Sequence, residues 1–146
     1  MYTIGQVSER FGLPISTLRY YDRQGLFPSL ERSGGIRRFG EKELETLRII
    51  ECLKKSGLQI KDIRRYILWC EEGAATFARR LELFVRQRQS VEAEIDRLSK
   101  VLDMLKFKCW FYEQAIHDGS DAGARAMLPD RLPEEIQQAY DHAHSV

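Results

Sequence analysis

The run Ser16-Thr17-Leu18-Arg19-Tyr20-Tyr21-Asp22, read at helical spacing, turns Ser16, Thr17, Arg19 and Tyr20 outward while Leu18 and Tyr21 turn inward. Hydroxyls and a guanidinium on one arc are the groups that bind phosphate oxygens and guanine edges in a major groove. On an isolated helix the same arc would be an ordinary solvated face, so its surroundings decide its meaning. A short way on, Arg37 and Arg38 follow a Gly34-Gly35 pair and add fixed positive charge. Thiol chemistry rests on Cys52, Cys70 and Cys109. Lys54 and Lys55 stand close to Cys52 in sequence and would favour its thiolate; the plain alternative is a small apolar filler in a helix contact. Three cysteines, far apart and odd in number, do not make a disulfide framework and suit a reducing compartment. His117, His142 and His144 are too scattered to be a ligand set. No Gly-rich phosphate loop, no histidine beside a nucleophile and no recognisable carboxylate pair is present, which points away from an enzyme.

The elements that must position these groups are readable from caps and periodicity. Thr3 and Gln6 have capping-box spacing, and Ile4, Val7 and Phe11 share a face until Gly12 stops the turn. A second helix starts near Pro14 and closes at Gly25, so the pair forms a helix-turn-helix candidate. From Arg32 to Phe39 the chain reads as a two-stranded wing whose returning strand presents Arg37 and Arg38. A third helix spans roughly Glu41 to Lys55, with Leu44, Leu47, Ile50 and Leu53 inside. A fourth spans roughly Ile60 to Glu71, with Ile63, Ile67 and Cys70 on its inner side.

Beyond Gly73 the pattern becomes linear. Phe77, Phe84, Val91, Leu98, Leu105 and Tyr112 recur every seven positions; Leu81, Arg88, Ile95, Leu102, Cys109 and Ile116 recur four residues after them. Sustained heptads of this kind are the a/d seam of a coiled coil. No Gly or Pro interrupts Ala74 to His117, so one helix of ~60 Å is expected at 1.5 Å per residue. Its stripe needs a partner, and a second copy of the chain is the economical one. Arg88 on the seam either fixes register across that interface or snorkels to its edge. After Asp118-Gly119-Ser120 a tail remains, with a last short helix expected from Pro133 to about His142. Trp110 and Tyr112, near the end of the long helix, are a candidate effector pocket.

With 146 residues, 43% hydrophobic and 31% charged, the chain has room for one ordinary domain plus an accessory element. The net charge of +1 conceals an asymmetry: residues 1–72 carry 13 Lys+Arg against 10 Asp+Glu, whereas residues 118–146 carry 2 against 6. Glu9, Arg10 and Arg19 break up any apolar run that a signal peptide would need, and no stretch is long enough to span a bilayer, so the cytoplasm is the expected location and no membrane partner is expected.

In this context the sequence resembles the MerR family of bacterial transcription regulators. The resemblance is carried by Tyr2-Thr3-Ile4-Gly5-Gln6-Val7, by Thr17 to Asp22 with Gly25-Leu26, by Gly35-Ile36-Arg37-Arg38-Phe39, and by Gly57-Leu58 with Lys61-Asp62-Ile63. It covers about residues 1–117 and implies a mostly α fold: a winged helix-turn-helix DNA-binding domain (1–73), a long antiparallel coiled-coil dimerisation helix (74–117) and a short effector tail (118–146). It also implies a homodimer on double-stranded promoter DNA with an overlong spacer, which the activated dimer distorts so that RNA polymerase can engage both elements. By position, Thr17, Arg19 and Tyr20 would contact DNA from the recognition helix and Arg37 from the wing, with Lys61 near the backbone; Thr3, Ser16 and Arg38 are the neighbouring candidates. Pro14 replaces a frequent Ser or Thr cap, and Phe39 a frequent wing Tyr.

The resemblance also limits what is sensed. Metal-responsive members have a Cys near the start of the dimer helix and a Cys pair after it; here Ala74, Ala75 and Thr76 stand at the first place and no cysteine follows Cys109. No metal or other cofactor is therefore expected. The segment around Cys52 resembles that of the aldehyde- and electrophile-responsive subgroup, which makes Cys52 the candidate sensor of a small-molecule or electrophile effector. Control by a protein partner through the tail and a non-sensing architectural role are the alternatives.

Overall fold

A computed structural model describes residues 1–146, which form two compact units, 1–88 and 89–146. In the first unit, α1 (Ile4–Phe11) begins at a complete capping box: Thr3 Oγ1 accepts from the Gln6 amide at 3.2 Å and Gln6 Oε1 accepts from the Thr3 amide at 2.9 Å. It ends at Gly12 in the left-handed region. Helix α2 (Ile15–Arg23) follows Pro14, whose lack of an amide proton is harmless at a helix start. Strands β1 (Glu31–Ser33) and β2 (Ile36–Arg38) pair antiparallel, with Arg32 opposite Arg37 and Ser33 opposite Ile36. The two turn residues, Gly34 and Gly35, have φ of +58° and +79°, a mirror-image turn that side chains oppose and that matches the strands' twist.

Helices α3 (Glu41–Lys55) and α4 (Ile60–Glu72) complete the head. Leu18, Tyr21, Leu44, Leu47, Ile50 and Ile63 are essentially sealed from solvent in one core. Phe39 lies in that core edge-to-face with Phe27, and its backbone bridges to Tyr2. A 3₁₀ turn, Ala74–Thr76, links α4 to α5 (Phe77–Asp118). There Arg80 Nη2 donates to the carbonyls of Trp69 and Gly73 at 2.8 and 2.9 Å, and Thr76 Oγ1 donates to Trp69 O at 2.7 Å. These side-chain donors add to the backbone amides that the same carbonyls accept, Trp69 O from Gly73 and Gly73 O from Thr76, and so fasten the α4–α5 corner.

Two residues correct the sequence reading here. Phe84, expected on the seam, is half-buried against the head core and meets Tyr66 edge-to-face at 5.1 Å. Cys70, expected inward, is exposed. Heptad counting cannot distinguish a partner helix from a neighbouring helix of the same head, because either covers the same side of α5.

In the second unit the seam residues Val91, Ile95, Leu98, Leu102, Leu105, Tyr112 and Ile116 are exposed on α5, as is Cys109. A different face of the helix is covered by the tail. Helices α6 (Ala122–Ala126) and α7 (Glu134–Ala143) fold back so that Phe107, Phe111, Ala124 and Leu132 form a second small core, flanked by Trp110 and Tyr140. Phe107 and Tyr140 meet edge-to-face at 4.9 Å, and His142 Nδ1 lies 2.5 Å from Asp103 Oδ2. Trp110 therefore belongs to the tail contact, while Tyr112 is 58% exposed outside it, and the two do not share one pocket. The tail was expected to hold only its last helix; α6 is additional.

Candidate nucleic-acid interface

The outward arc of α2 forms as the sequence spacing requires. Ser16, Arg19 and Tyr20 are exposed, Thr17 is half-buried, and Leu18 and Tyr21 are the helix's buried residues. Tyr21 also carries a polar link: its hydroxyl donates to Glu51 Oε1 at 2.8 Å and accepts from Lys54 Nζ at 2.6 Å. Burial pushes the Tyr21 hydroxyl above its ordinary pKa, the Lys54 bond opposes this and Glu51 reinforces it; the Tyr21 bond raises Lys54 in turn. At neutral pH both groups keep their protons, so this link fixes α2 against α3.

That geometry revises one expectation. Lys54 is drawn to Tyr21 on the side of α3 that faces the recognition helix, while Cys52, two positions away, is exposed. Two positions on a helix differ by about 200°, so Lys54 does not flank the thiol as the linear sequence suggested.

Asp22, which follows the arc, holds the wing. Its Oδ2 accepts from Arg32 Nη2 and from Arg37 Nε, both at 2.7 Å. Arg32 and Arg37 are cross-strand partners, and like charges so placed repel unless an anion lies between them. The Asp22 side chain, nearly buried, is that anion. Burial alone would raise its pKa, but hydrogen bonds from the two arginines outweigh burial and hold the carboxyl below its ordinary value. The sequence singled out Arg37 as a DNA ligand; here its Nε is committed to positioning the wing. The neighbouring Arg38 has no ion pair within 4 Å, nor do Arg19 and Arg23 on α2.

Two more cations were not singled out in the sequence. Lys61, Arg64 and Arg65 on α4 share an open groove of about 490 Å³ with Tyr20 of α2 and Gln24, the residue that follows that helix, and none of the three cations has an ion pair. Their spacing of three and four residues, one face of a helix, was the available signal. Gly25 allows this approach. Its φ is +78°, and a Cβ there would stand 3.0 Å from Arg64 Nε. Thr3 is placed differently, since its oxygen caps α1 and only its hydroxyl proton is left to donate. No group of three or more His, Cys, Asp or Glu side chains is arranged to hold a metal ion, and no helix is long and apolar enough to cross a membrane.

Comparison with known proteins places this arrangement. The sequence pattern of the MerR HTH family regulatory proteins matches residues 2–68, and that of the MerR DNA-binding region matches residues 44–106. A Haemophilus influenzae protein described as an uncharacterized HTH-type transcriptional regulator is 37% identical over 134 residues, 91% of this chain and 97% of its own. The chain belongs to the MerR family. AdhR, an HTH-type transcriptional regulator of Bacillus subtilis, is 37% identical over 59% of this chain and 62% of its own. Among solved structures, HiNmlR, a MerR family regulator lacking the sensor domain and bound to promoter DNA, is 38% identical with a TM-score of 0.64, covering 84% of this chain and 98% of that one. A MerR family regulator from Listeria monocytogenes has a TM-score of 0.69 at 32% identity, covering 82% of this chain and 91% of its own. The relatives are transcription regulators and not enzymes.

Proposed function

We propose that this MerR-family regulator binds promoter DNA as a homodimer, seating α2 in the major groove and the wing and the α4 cations on flanking phosphates. The observation that carries this reading is the single carboxylate of Asp22, which ties the wing to α2 while leaving Arg19, Arg23 and Arg38 without internal partners. A rigid two-element reader with uncommitted cations fits a polyanionic duplex. The promoter-bound state of HiNmlR supports the same use. Arg19→Ala is expected to cost about 1–3 kcal/mol in operator binding, read by fluorescence anisotropy, and to relax specificity at one position. Unchanged affinity and specificity would count against the assignment.

The exposed apolar seam of α5 from Val91 to Ile116 supports the homodimer, in the antiparallel arrangement that the family resemblance implies. Two heads held at a fixed separation are able to bend and untwist an overlong spacer for RNA polymerase, a deformation costing several kcal/mol that their phosphate contacts offset. Enhanced permanganate reactivity of spacer thymines on the activated complex is the expected signature. The effector response is assigned to the exposed thiol of Cys52. Adding bulk there changes α3 one residue from Glu51, which holds the Tyr21 hydroxyl of the recognition helix. A Cys52→Ser variant should bind the operator normally and lose its transcriptional response to an aldehyde; a normal response would remove Cys52 from this role.

A further inference from the structure

The end of α3 is held on two sides. On one, Glu51 and Lys54 bond the Tyr21 hydroxyl of the recognition helix. On the other, Gln87 of α5 reaches back, and its Nε2 donates to the Ser56 carbonyl at 2.5 Å. No backbone amide donates to that carbonyl, because the chain leaves helical geometry there: Gly57 N bonds Lys54 O and Leu58 N bonds Leu53 O. Gly57 has a φ of +90°, and a Cβ on it would stand 3.0 Å from Gln87 Nε2, so one glycine both makes the turn and leaves room for the amide. Ser56 N in turn donates to the Cys52 carbonyl at 3.3 Å. The residue with the exposed thiol and the carbonyl held by α5 thus stand at the two ends of one helical turn.

Gln87 lies on the side of α5 that already belongs to the head. Arg80, Phe84 and Gln87 follow one another at helical spacing. They meet in turn the carbonyls that end α4, the ring of Tyr66 and the turn that ends α3. The apolar contact of Phe84 is non-directional and permits small slips, whereas a hydrogen bond sets one atom against one atom. We propose that Gln87 is a positioning residue: through the Ser56 carbonyl it makes the end of α3 and the base of α5 move together, so that a change at Cys52 reaches the base of the rod as well as the recognition helix. The proposal rests on the Cys52 reading above and supplies the route from the thiol to α5.

The test uses the full chain with the exposed Cys70 and Cys109 changed to serine, so that iodoacetamide modifies Cys52 alone, as peptide mass confirms. In this parent, Gln87→Met keeps the side-chain length and removes the donor, while Gln87→Lys keeps a donor. Amide exchange is followed by mass spectrometry at residues 56–58 and 83–88. Before alkylation, Gln87→Met should speed exchange in both segments by about fivefold, as expected for the loss of one hydrogen bond, and Gln87→Lys should not. After alkylation, both segments should change in the parent and in Gln87→Lys, but only residues 56–58 in Gln87→Met. Rescue by the lysine separates a donor's role from simple filling of space. If exchange before alkylation is the same in Gln87→Met as in the parent, or if alkylation still alters residues 83–88 of Gln87→Met as it does the parent, the route through Gln87 is overturned and Cys52 stays as the sensor. An adduct that leaves residues 56–58 of the parent unchanged would remove Cys52 as the origin of the signal, and this inference with it.

Discussion

The head and the long helix use the same apolar residue types to opposite ends. In the head, Leu44, Leu47, Ile50 and Ile63 are fully closed off, because residues of α1 to α4, of the segments flanking the wing (Leu26, Phe27, Leu30 and Phe39) and of the start of α5 (Leu83 and Phe84) pack around them. On α5, Leu98, Leu102, Leu105 and Ile95 stand at least half exposed along one stripe. The first region satisfies its hydrophobic surface within the chain, and the second leaves it exposed, as the surface that the proposed dimer would bury. The tail lies between these cases: Phe107 and Phe111, on the same helix as the seam, are buried by residues from α6, α7 and their connection.

Substitutions in the two regions should therefore fail in different ways. The largest effect is expected from Leu98→Asp combined with Leu102→Asp. Each leucine loses about 1.5–3 kcal/mol of burial per protomer, and a carboxylate is added to a dry seam, so the dimer dissociation constant should rise more than about a hundredfold in sedimentation equilibrium. The melting of the head should hardly move. Leu47→Ala should do the reverse, destabilising the head by about 2–5 kcal/mol in urea unfolding followed by circular dichroism, with no direct effect on the seam. If both substitutions alter both properties alike, the division between a closed core and an open one is wrong.

A smaller effect sharpens the account of the head. The Asp22 carboxyl has a lower pKa in the folded wing than in the unfolded chain, so its contribution is fully present above the ordinary value of 3.8 and is lost as pH falls through the depressed folded value. Amide exchange in Arg32 to Arg38 should accelerate across that acid range while α3 amides stay protected. In Asp22→Asn the acceleration should already be present at neutral pH, and a wing that exchanges identically in both proteins would show that the clamp is not what orders it.

Much of the head was legible in the sequence because its boundaries are set by local chemistry. Thr3 with Gln6, the glycines at 12, 25, 34, 35 and 57, and the buried periodicity of α3 each act over a few residues, and each element appears where those signals put it. Less legible was anything decided by a distant neighbour. Phe84 follows the heptad yet packs on Tyr66; Phe107 and Phe111 fall off the heptad, and residues of the tail, distant in sequence, cover them. Of the candidate interface, the arc of α2 was readable, but the commitment of Arg37 and Lys54 to Asp22 and Tyr21 depends on tertiary geometry. Helix α6, five residues with a small apolar content, has no period to detect.

A homodimer that binds DNA as a unit is tested by sedimentation velocity of the purified chain at micromolar concentration, alone and with a promoter duplex. A species of twice the 17.1 kDa chain mass should shift as a unit onto one duplex at low salt and dissociate steeply as salt rises. A 17.1 kDa monomer, or a dimer that leaves the duplex unbound at low salt, would contradict it.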